Sequence, residues 1–385
     1  MPGKDRPWRI LQVLPELEMG GVERGTVDMA QAIAARGDHA LVASNGGAMA
    51  LELTSGGAEH VLMPMHRKTP WGIWSNASRL TDLISARGID LVHARSRAPA
   101  WAALYAARRT GIPMVTTFHG TYRFGNELKR RYNAVMASGD RVIAISDFVA
   151  WHLRAHYAVD PGRIRVVPRG IDLLRFDPEN IHHERWIRLA TRWYLGDGVP
   201  VVMMPARLTR WKGQMVLLDA LAKLNRGDIC CLLVGSDQGR TRYRAELERA
   251  IVDRGLAGCV SIRDDCDDLP AAYMLADVVV SASTEPEAFG RVAAEAQAMG
   301  RPLVATHHGG VPEQVLPDET AYLAAPGDAA DLAKGLEWAL SLNADDRKVL
   351  AAAGRARAES YNKDRMCAEI LAVYDELLAE GRDDP

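Results

Sequence analysis

Short apolar runs alternate with helix-length segments along this chain, and the alternation breaks once and then restarts. In the first half the runs are "WRILQVLP", "ALVAS", "HVLMPM", "DLVHA", "PMVTTFH", "RVIAIS" and "IRVVP", with helical patterns between them such as 22–36, 75–87 and 99–109. Strands separated by helices of about ten to fifteen residues read as right-handed βαβ units around a parallel sheet. An irregular stretch follows from Gly170 to about Tyr194, carrying Asp-Pro, His-His and two tryptophans, and it is expected to hold an interdomain linker. The pattern then resumes with "VPVVMMPAR", "DICCLLVGS", "CVSIRD", "DVVVSAS" and "PLVAT". A chain of 385 residues is too long for one ordinary core. The expectation is α/β: two Rossmann-like doubly wound domains, 1–186 and 187–362, facing across a cleft, with ligands at the carboxyl ends of strands. The tail from about Ala344 to Glu380 reads as two helices. The last, about 363–381, lines up Met366, Ile370, Val373, Tyr374, Leu377 and Leu378 on one stripe and is expected to pack back on the first domain.

Composition narrows the class. No run approaches membrane-spanning length, and "MPGKDRPWRILQVLP" lacks an apolar core or cleavage site, so a cytoplasmic protein is expected. Five cysteines without a CxxC pair argue against a disulfide framework or a zinc site. The net charge of −2 hides an asymmetry: 1–186 holds 24 Lys and Arg against 18 Asp and Glu, and the remainder 23 against 31. The basic half suggests an anionic partner or an ordinary solvated face. Aromatic residues make up 6% and no recognised module appears, which disfavours nucleic acid.

Polar motifs gather at strand ends. "SASTEPEAFGRVAAEAQAMGRPLVAT" places Glu287 in a turn and Glu295 on the helix that follows. The first turn of such a helix presents unpaired amides, here Ala288, Phe289 and Gly290, suited to hydroxyl or phosphate oxygens. A carboxylate on each side could accept from vicinal hydroxyls; the plainer reading is a helix with an N-terminal acid favoured by its dipole. After the first strand of the second half, "ARLTRWKG" brings Arg207 and Lys212 into one loop. Two such cations can grip a diphosphate, the Arg as a fork and the Lys as a point charge, or simply decorate a surface loop. "RDDCDD" (Arg263 to Asp268) contains an Asp-x-Asp, but helix capping explains it without a metal. His307 and His308 are adjacent, so on an extended segment they point apart rather than toward a shared metal.

The ordered set "ARLTRWKG", "EAFGRVAAEAQAMGRPLVAT" and "GGVPE" (Gly309 to Glu313) resembles the retaining nucleotide-sugar glycosyltransferases of family 4, which have the two-domain GT-B fold. Leu17 to Asp38 and "VVPRGID" extend the resemblance over nearly the whole chain; Arg169 departs from it, standing where the family often has Asn. The resemblance implies that Arg207 and Lys212 bind the donor diphosphate and stabilise the leaving group. It implies that Glu295 holds ribose hydroxyls, and that Glu287 with the Ala288 to Gly290 amides holds the transferred sugar. Gly20 and Gly21 would approach the donor phosphate, His119 would lie beside the donor sugar, and the loop from Arg263 would flank the nucleobase. The donor is expected to be UDP- or GDP-linked, with no metal and no other cofactor. The acceptor is expected to be a glycan or glycolipid hydroxyl in lipopolysaccharide core or surface polysaccharide assembly, with Arg95, Arg123 and Arg130 on its side. The enzyme is then expected to be cytoplasmic and peripheral at an anionic membrane surface. A hydrolase using the two acids, a GT-B nucleotide-sugar epimerase and an idle sugar-nucleotide binder are the competing classes.

Overall fold

The computed structural model describes residues 6–18, 20–122 and 125–380. It divides into two compact units: residues up to Gly170 with the C-terminal segment from Lys363, and Ile171–Asn362.

The first unit is built on seven parallel strands: β1 (Arg9–Val13), β2 (His39–Ser44), β3 (Glu59–Leu62), β4 (Leu91–Ala94), β5 (Met114–Phe118), β6 (Arg141–Ala144) and β7 (Ile164–Val166), in the order β3-β2-β1-β4-β5-β6-β7. Each run recognised in the sequence becomes a strand, because central strands of a parallel sheet are covered on both faces and select unbroken apolar residues. Helix Gly21–Ala35 buries Val27, Met29, Ala30 and Ile33, and helix Lys363–Glu380 buries the stripe Met366, Ile370, Val373, Tyr374, Leu377 and Leu378 in the same core. Ion pairs fix that last helix at its polar edge: Arg36 to Asp375 at 2.8 Å, and Arg141 and Arg165 to Glu376.

The second unit has six parallel strands: β8 (Val201–Pro205), β9 (Cys230–Val234), β10 (Val260–Arg263), β11 (Val278–Ser281), β12 (Leu303–Thr306) and β13 (Ala321–Ala324), ordered β10-β9-β8-β11-β12-β13. The strand order reverses between β8 and β11, so the loops leaving them diverge and open a crevice at their carboxyl ends.

Two features differ from expectation. The first unit closes at Gly170, not at 186. The stretch after it joins the second unit because Ile171 N–H donates to Tyr361 O at 2.7 Å and Arg185 grips Asp268 in a fork at 2.8 Å. Within it, helix His183–Arg192 buries only Leu189, too little apolar periodicity to be read in advance. Edge strand β13 and helix Ala329–Ser341 were likewise not anticipated; Asp328 caps that helix by accepting from the amides of Ala330 and Asp331.

Candidate functional site

Three loops at the ends of the neighbouring strands β8, β11 and β12 converge on Glu287. The β8 loop tightens into a single turn, Arg210–Lys212, and ends on Gly213 at φ 84°. A Cβ there would stand 1.8 Å from Ala282 O, so only glycine allows the β8 and β11 loops this approach. Thr284 N–H then donates to Trp211 O at 2.8 Å. Lys212 Nζ donates to Glu287 Oε1 at 2.6 Å, and Ser283 Oγ donates to the same oxygen at 2.5 Å. The lysine and glutamate side chains are 13% and 11% exposed, so water screens the pair weakly. From the β12 loop, Gly310 N–H donates to Glu287 O at 2.8 Å. Gly309, at φ 68°, would bring a Cβ within 2.2 Å of that same carbonyl. His308 Nε2 lies 2.8 Å from Ser283 O, and its imidazole is lowered from its ordinary range chiefly by burial.

Arg207 is exposed, and among the described residues its guanidinium has no hydrogen-bond or ion-pair partner. The pair expected to act together thus stands in two states, Lys212 neutralised by an acid and Arg207 open to a ligand. Helix Arg291–Ala298 starts at Gly290 without a side-chain cap, and the Phe289 and Gly290 amides find no acceptor among the described residues. The Phe289 ring is buried against Tyr361 at 5.5 Å between centroids, so its amide, not its side chain, is available. Glu295 is 3% exposed; Oε1 accepts from Arg291 at 2.8 Å and Oε2 from the Tyr273 hydroxyl at 3.0 Å. Burial and this carboxylate push the Tyr273 phenol well above its usual range. Each Glu295 oxygen keeps a lone pair for a further donor.

Arg263 ends β10 and donates through Nη2 to Trp193 O at 2.7 Å, while its Nε is buried without a partner. Its acidic neighbours are used structurally: Asp264 pairs with Arg244, Asp265 and Asp267 with Arg192, and Asp268 caps helix Leu269–Leu275.

In the first unit, Gly20 caps helix Gly21–Ala35 in extended conformation, so turn geometry is not what requires glycine. Space is: a Cβ on Gly20 would meet Glu23 Oε2 at 2.2 Å, and one on Gly21 would meet Arg169 Nη1 at 2.4 Å. His119, one residue beyond β5, has Nδ1 3.2 Å from Arg169 Nη2 and a buried, unpartnered Nε2. Arg95, expected on a basic surface, is 3% exposed, a correction the neighbouring glycine helix makes possible by leaving room for the guanidinium. Arg130 is exposed and forks onto Glu127 at 3.0 and 3.1 Å. Arg123 lies outside the described residues.

A family model described as Glycosyltransferase Family 4 matches residues 19–175, and one described as Glycosyl transferases group 1 matches residues 192–357. A glycosyltransferase structure from Rickettsia africae superposes with a TM-score of 0.89 at 35% identity, covering 97% of this chain and 99% of that one. The chain is a GT-B glycosyltransferase of family 4 type. The D-inositol 3-phosphate glycosyltransferase of Salinispora tropica is 32% identical over 320 residues, 76% of this chain; the chain spans 65% of that relative's length. Anabaena HepE in complex with UDP-glucose has a TM-score of 0.83 at 24% identity, covering 96% and 99% of the two chains, a likeness of fold.

In this glycosyltransferase several site residues escape sequence reasoning. Ser283, His308 and Trp211 shape the Glu287 cluster, and Tyr273 and Arg291 hold Glu295. Only Arg291 carried a signal, four positions before Glu295 on one helix face.

Proposed function

We propose that the enzyme transfers a hexose, with retention, from a UDP- or GDP-linked sugar to a hydroxyl of a glycan or glycolipid acceptor. The observation that carries this reading is the 2.6 Å contact of Lys212 with Glu287 beside an unpaired Arg207. The bond from sugar C1 to the phosphate oxygen breaks with its electrons going to the phosphate. Arg207 and Lys212 stabilise that charge as it grows. The acceptor oxygen bonds to C1 on the face the diphosphate leaves, and its proton passes to the departing phosphate oxygen. Glu287 and the amides of Phe289 and Gly290 orient sugar hydroxyls, Glu295 takes the ribose, and no metal is needed where two cations neutralise the diphosphate. The UDP-glucose named with Anabaena HepE supports the donor class. Calorimetric titration of UDP and GDP, followed by transfer from the better-bound sugar nucleotide, tests the reading. R207Q and K212Q that leave both binding and transfer intact would refute it.

We infer that the acceptor lies at an anionic membrane face, in lipopolysaccharide core or surface polysaccharide assembly. Support comes from helix Pro70–Arg87, where Trp71 and Trp74 are 74% and 60% exposed with rings 5.0 Å apart. Exposed Arg67 and Lys68 precede them, and tryptophan beside basic residues suits the interface of an anionic bilayer. Among the described residues no helix is long and apolar enough to cross a membrane. Sedimentation with phosphatidylglycerol vesicles should carry the enzyme down and W71A/W74A should release it; indifference to lipid charge at low salt removes this part. The inositol phosphate in the name of the Salinispora tropica relative supports a phosphorylated acceptor as the alternative.

A further inference from the structure

The turn that ends the β8 loop sends its two basic side chains to different neighbours. Lys212 reaches Glu287 in the β11 loop, whereas Arg210 reaches Glu246 on helix Thr241–Asp253. Between the turn and that helix lies an open cavity of about 550 Å³, lined by Thr209, Arg210, Trp211, Arg240, Arg242 and Tyr243. It has the size of a small-molecule pocket, and its lining holds three arginines and no acid. Arg207, Lys212, Glu287 and Glu295 take no part in it.

Helix Thr241–Asp253, 13 residues long, starts at Arg240 with no side-chain cap and no acid in its first turn. The amides of Thr241 and Arg242 find no acceptor among the described residues, so the positive end of this helix opens on the cavity unanswered. Thr209, on the β8 loop, is 8% exposed, and its Oγ1 is buried with no hydrogen-bond partner. A buried hydroxyl left unsatisfied is costly, and a ligand oxygen at this wall would satisfy it. Arg240 Nη1 donates to neutral acceptors, Gln238 Oε1 at 2.9 Å and Asp237 O at 3.1 Å. Arg210 and Arg242 share one acid, Glu246, the latter at 3.6 Å, and the Asp237 carboxylate accepts from the Gly239 amide at 2.8 Å. The aromatic wall is fixed in place. Tyr243, 6% exposed, lies 5.1 Å from the Arg210 guanidinium, and its hydroxyl donates to Gln214 Oε1 at 3.2 Å. Gln214 Nε2 donates in turn to Arg207 O at 2.9 Å, which pins the wall to the β8 loop.

We propose that this cavity is a second anion site of the enzyme, which takes a phosphate monoester apart from the donor clamp. The phosphate oxygens accept from the Thr241 and Arg242 amides, the Thr209 hydroxyl and the guanidiniums of Arg240 and Arg242, a donor set suited to a dianion. The organic part of the ester lies against Trp211 and Tyr243, while Arg210 stays with Glu246 and closes the wall. The inference stands on the cavity and not on the transferase reading.

The test removes the donor clamp with R207Q/K212Q and titrates inorganic phosphate into that variant by calorimetry at constant ionic strength. The same titration is made with R240Q/R242Q or T209V added. Phosphate should bind R207Q/K212Q, weaken by about tenfold or more with R240Q/R242Q, and weaken by about fivefold with T209V, as charge-assisted and neutral hydrogen bonds are lost. Phenyl phosphate should bind R207Q/K212Q more tightly than inorganic phosphate does, through the aromatic wall. Arg240 and Arg242 are exposed, so R240Q/R242Q decides the matter where T209V fails to fold. Absence of phosphate binding to R207Q/K212Q, or binding that ignores R240Q/R242Q, overturns the site. Loss with R240Q/R242Q while a folded T209V binds unchanged marks a solvated basic face and overturns it as well. UDP should bind the full chain and R240Q/R242Q alike; a loss in R240Q/R242Q makes the cavity part of the donor clamp and overturns the second site. A full chain that ignores UDP yet gives the expected phosphate series refutes the transferase reading alone.

Discussion

The contact between Lys212 and Glu287 makes opposite predictions for its two members. At 2.6 Å and an effective dielectric of about 20 the gross attraction is roughly 6 kcal/mol. Desolvation of both groups offsets most of this and leaves a net of about 1–3 kcal/mol. A diphosphate must compete with Glu287 for the ammonium. Glu287→Gln keeps the shape and an acceptor for Ser283, removes that competition, and raises the net positive charge of the cluster with Arg207. UDP, which lacks the sugar, should then bind about fivefold tighter, while sugar transfer falls because the carboxylate that orients the hydroxyls is gone. Lys212→Gln deletes the cation and should weaken UDP by about tenfold or more. Calorimetry at low and moderate salt provides both constants, with the contrast narrowing only slightly as salt rises because the pair is mostly shielded. If Glu287→Gln weakens UDP as much as Lys212→Gln does, the carboxylate is not a competitor for the ammonium and the clamp is misconceived.

Further expectations follow from single contacts. Gly213→Ala forces a Cβ against Ala282 O at φ 84° and should cost more than about 3 kcal/mol, abolishing UDP binding. Gly258→Ala, where a Cβ meets nothing within 4 Å, should leave the melting temperature unmoved. Tyr273→Phe removes the buried donor to Glu295 Oε2 and should destabilise the protein by about 1–3 kcal/mol in denaturant titrations. Burial, then His156, lowers the His152 imidazole to about 4, and burial, then Arg95, holds His93 well below its ordinary range. The unfolded chain binds these protons first, so stability is complete above about pH 6.5 and declines as pH falls toward 4, by about 1.4 kcal/mol per pH unit for each imidazole. Guanidinium melts at pH 7, 6 and 5 should show the decline, and His152→Gln should reduce its slope; an unchanged slope means that His152 titrates normally.

The strands were legible because doubly covered parallel strands leave unbroken apolar runs, and the last helix because its stripe from Met366 to Leu378 repeats at helical spacing. Helix His183–Arg192 was not, since its place is set by ion pairs of Arg185 and Arg192 with the Asp265–Asp268 loop rather than by an apolar face. At the site, Arg207, Lys212, Glu287 and Glu295 were nameable from motif order. That Lys212 would touch Glu287, 75 residues away, follows only once β8 and β11 are neighbours. Arg95 shows the limit most clearly: after a strand it reads as surface charge, and nothing local in "HARSRA" reveals that Gly25 leaves it a berth inside.

The same device recurs in both units. Gly213 and Gly309 let backbone meet backbone at Ala282 and Glu287, and Gly21 and Gly25 let two guanidiniums meet a helix. In each case the missing side chain marks where another group approaches. A glycine in such a motif is therefore best read by what occupies its Cβ position, a question the fold alone can answer. By that criterion Gly20 and Gly21 differ in meaning although they adjoin: the first accommodates Glu23 of its own helix, the second a cation from the far edge of the sheet. A Gly21→Ala substitution should accordingly displace Arg169 and lower the melting temperature, whereas Gly20→Ala should only move the end of a flexible glutamate and leave it unmoved.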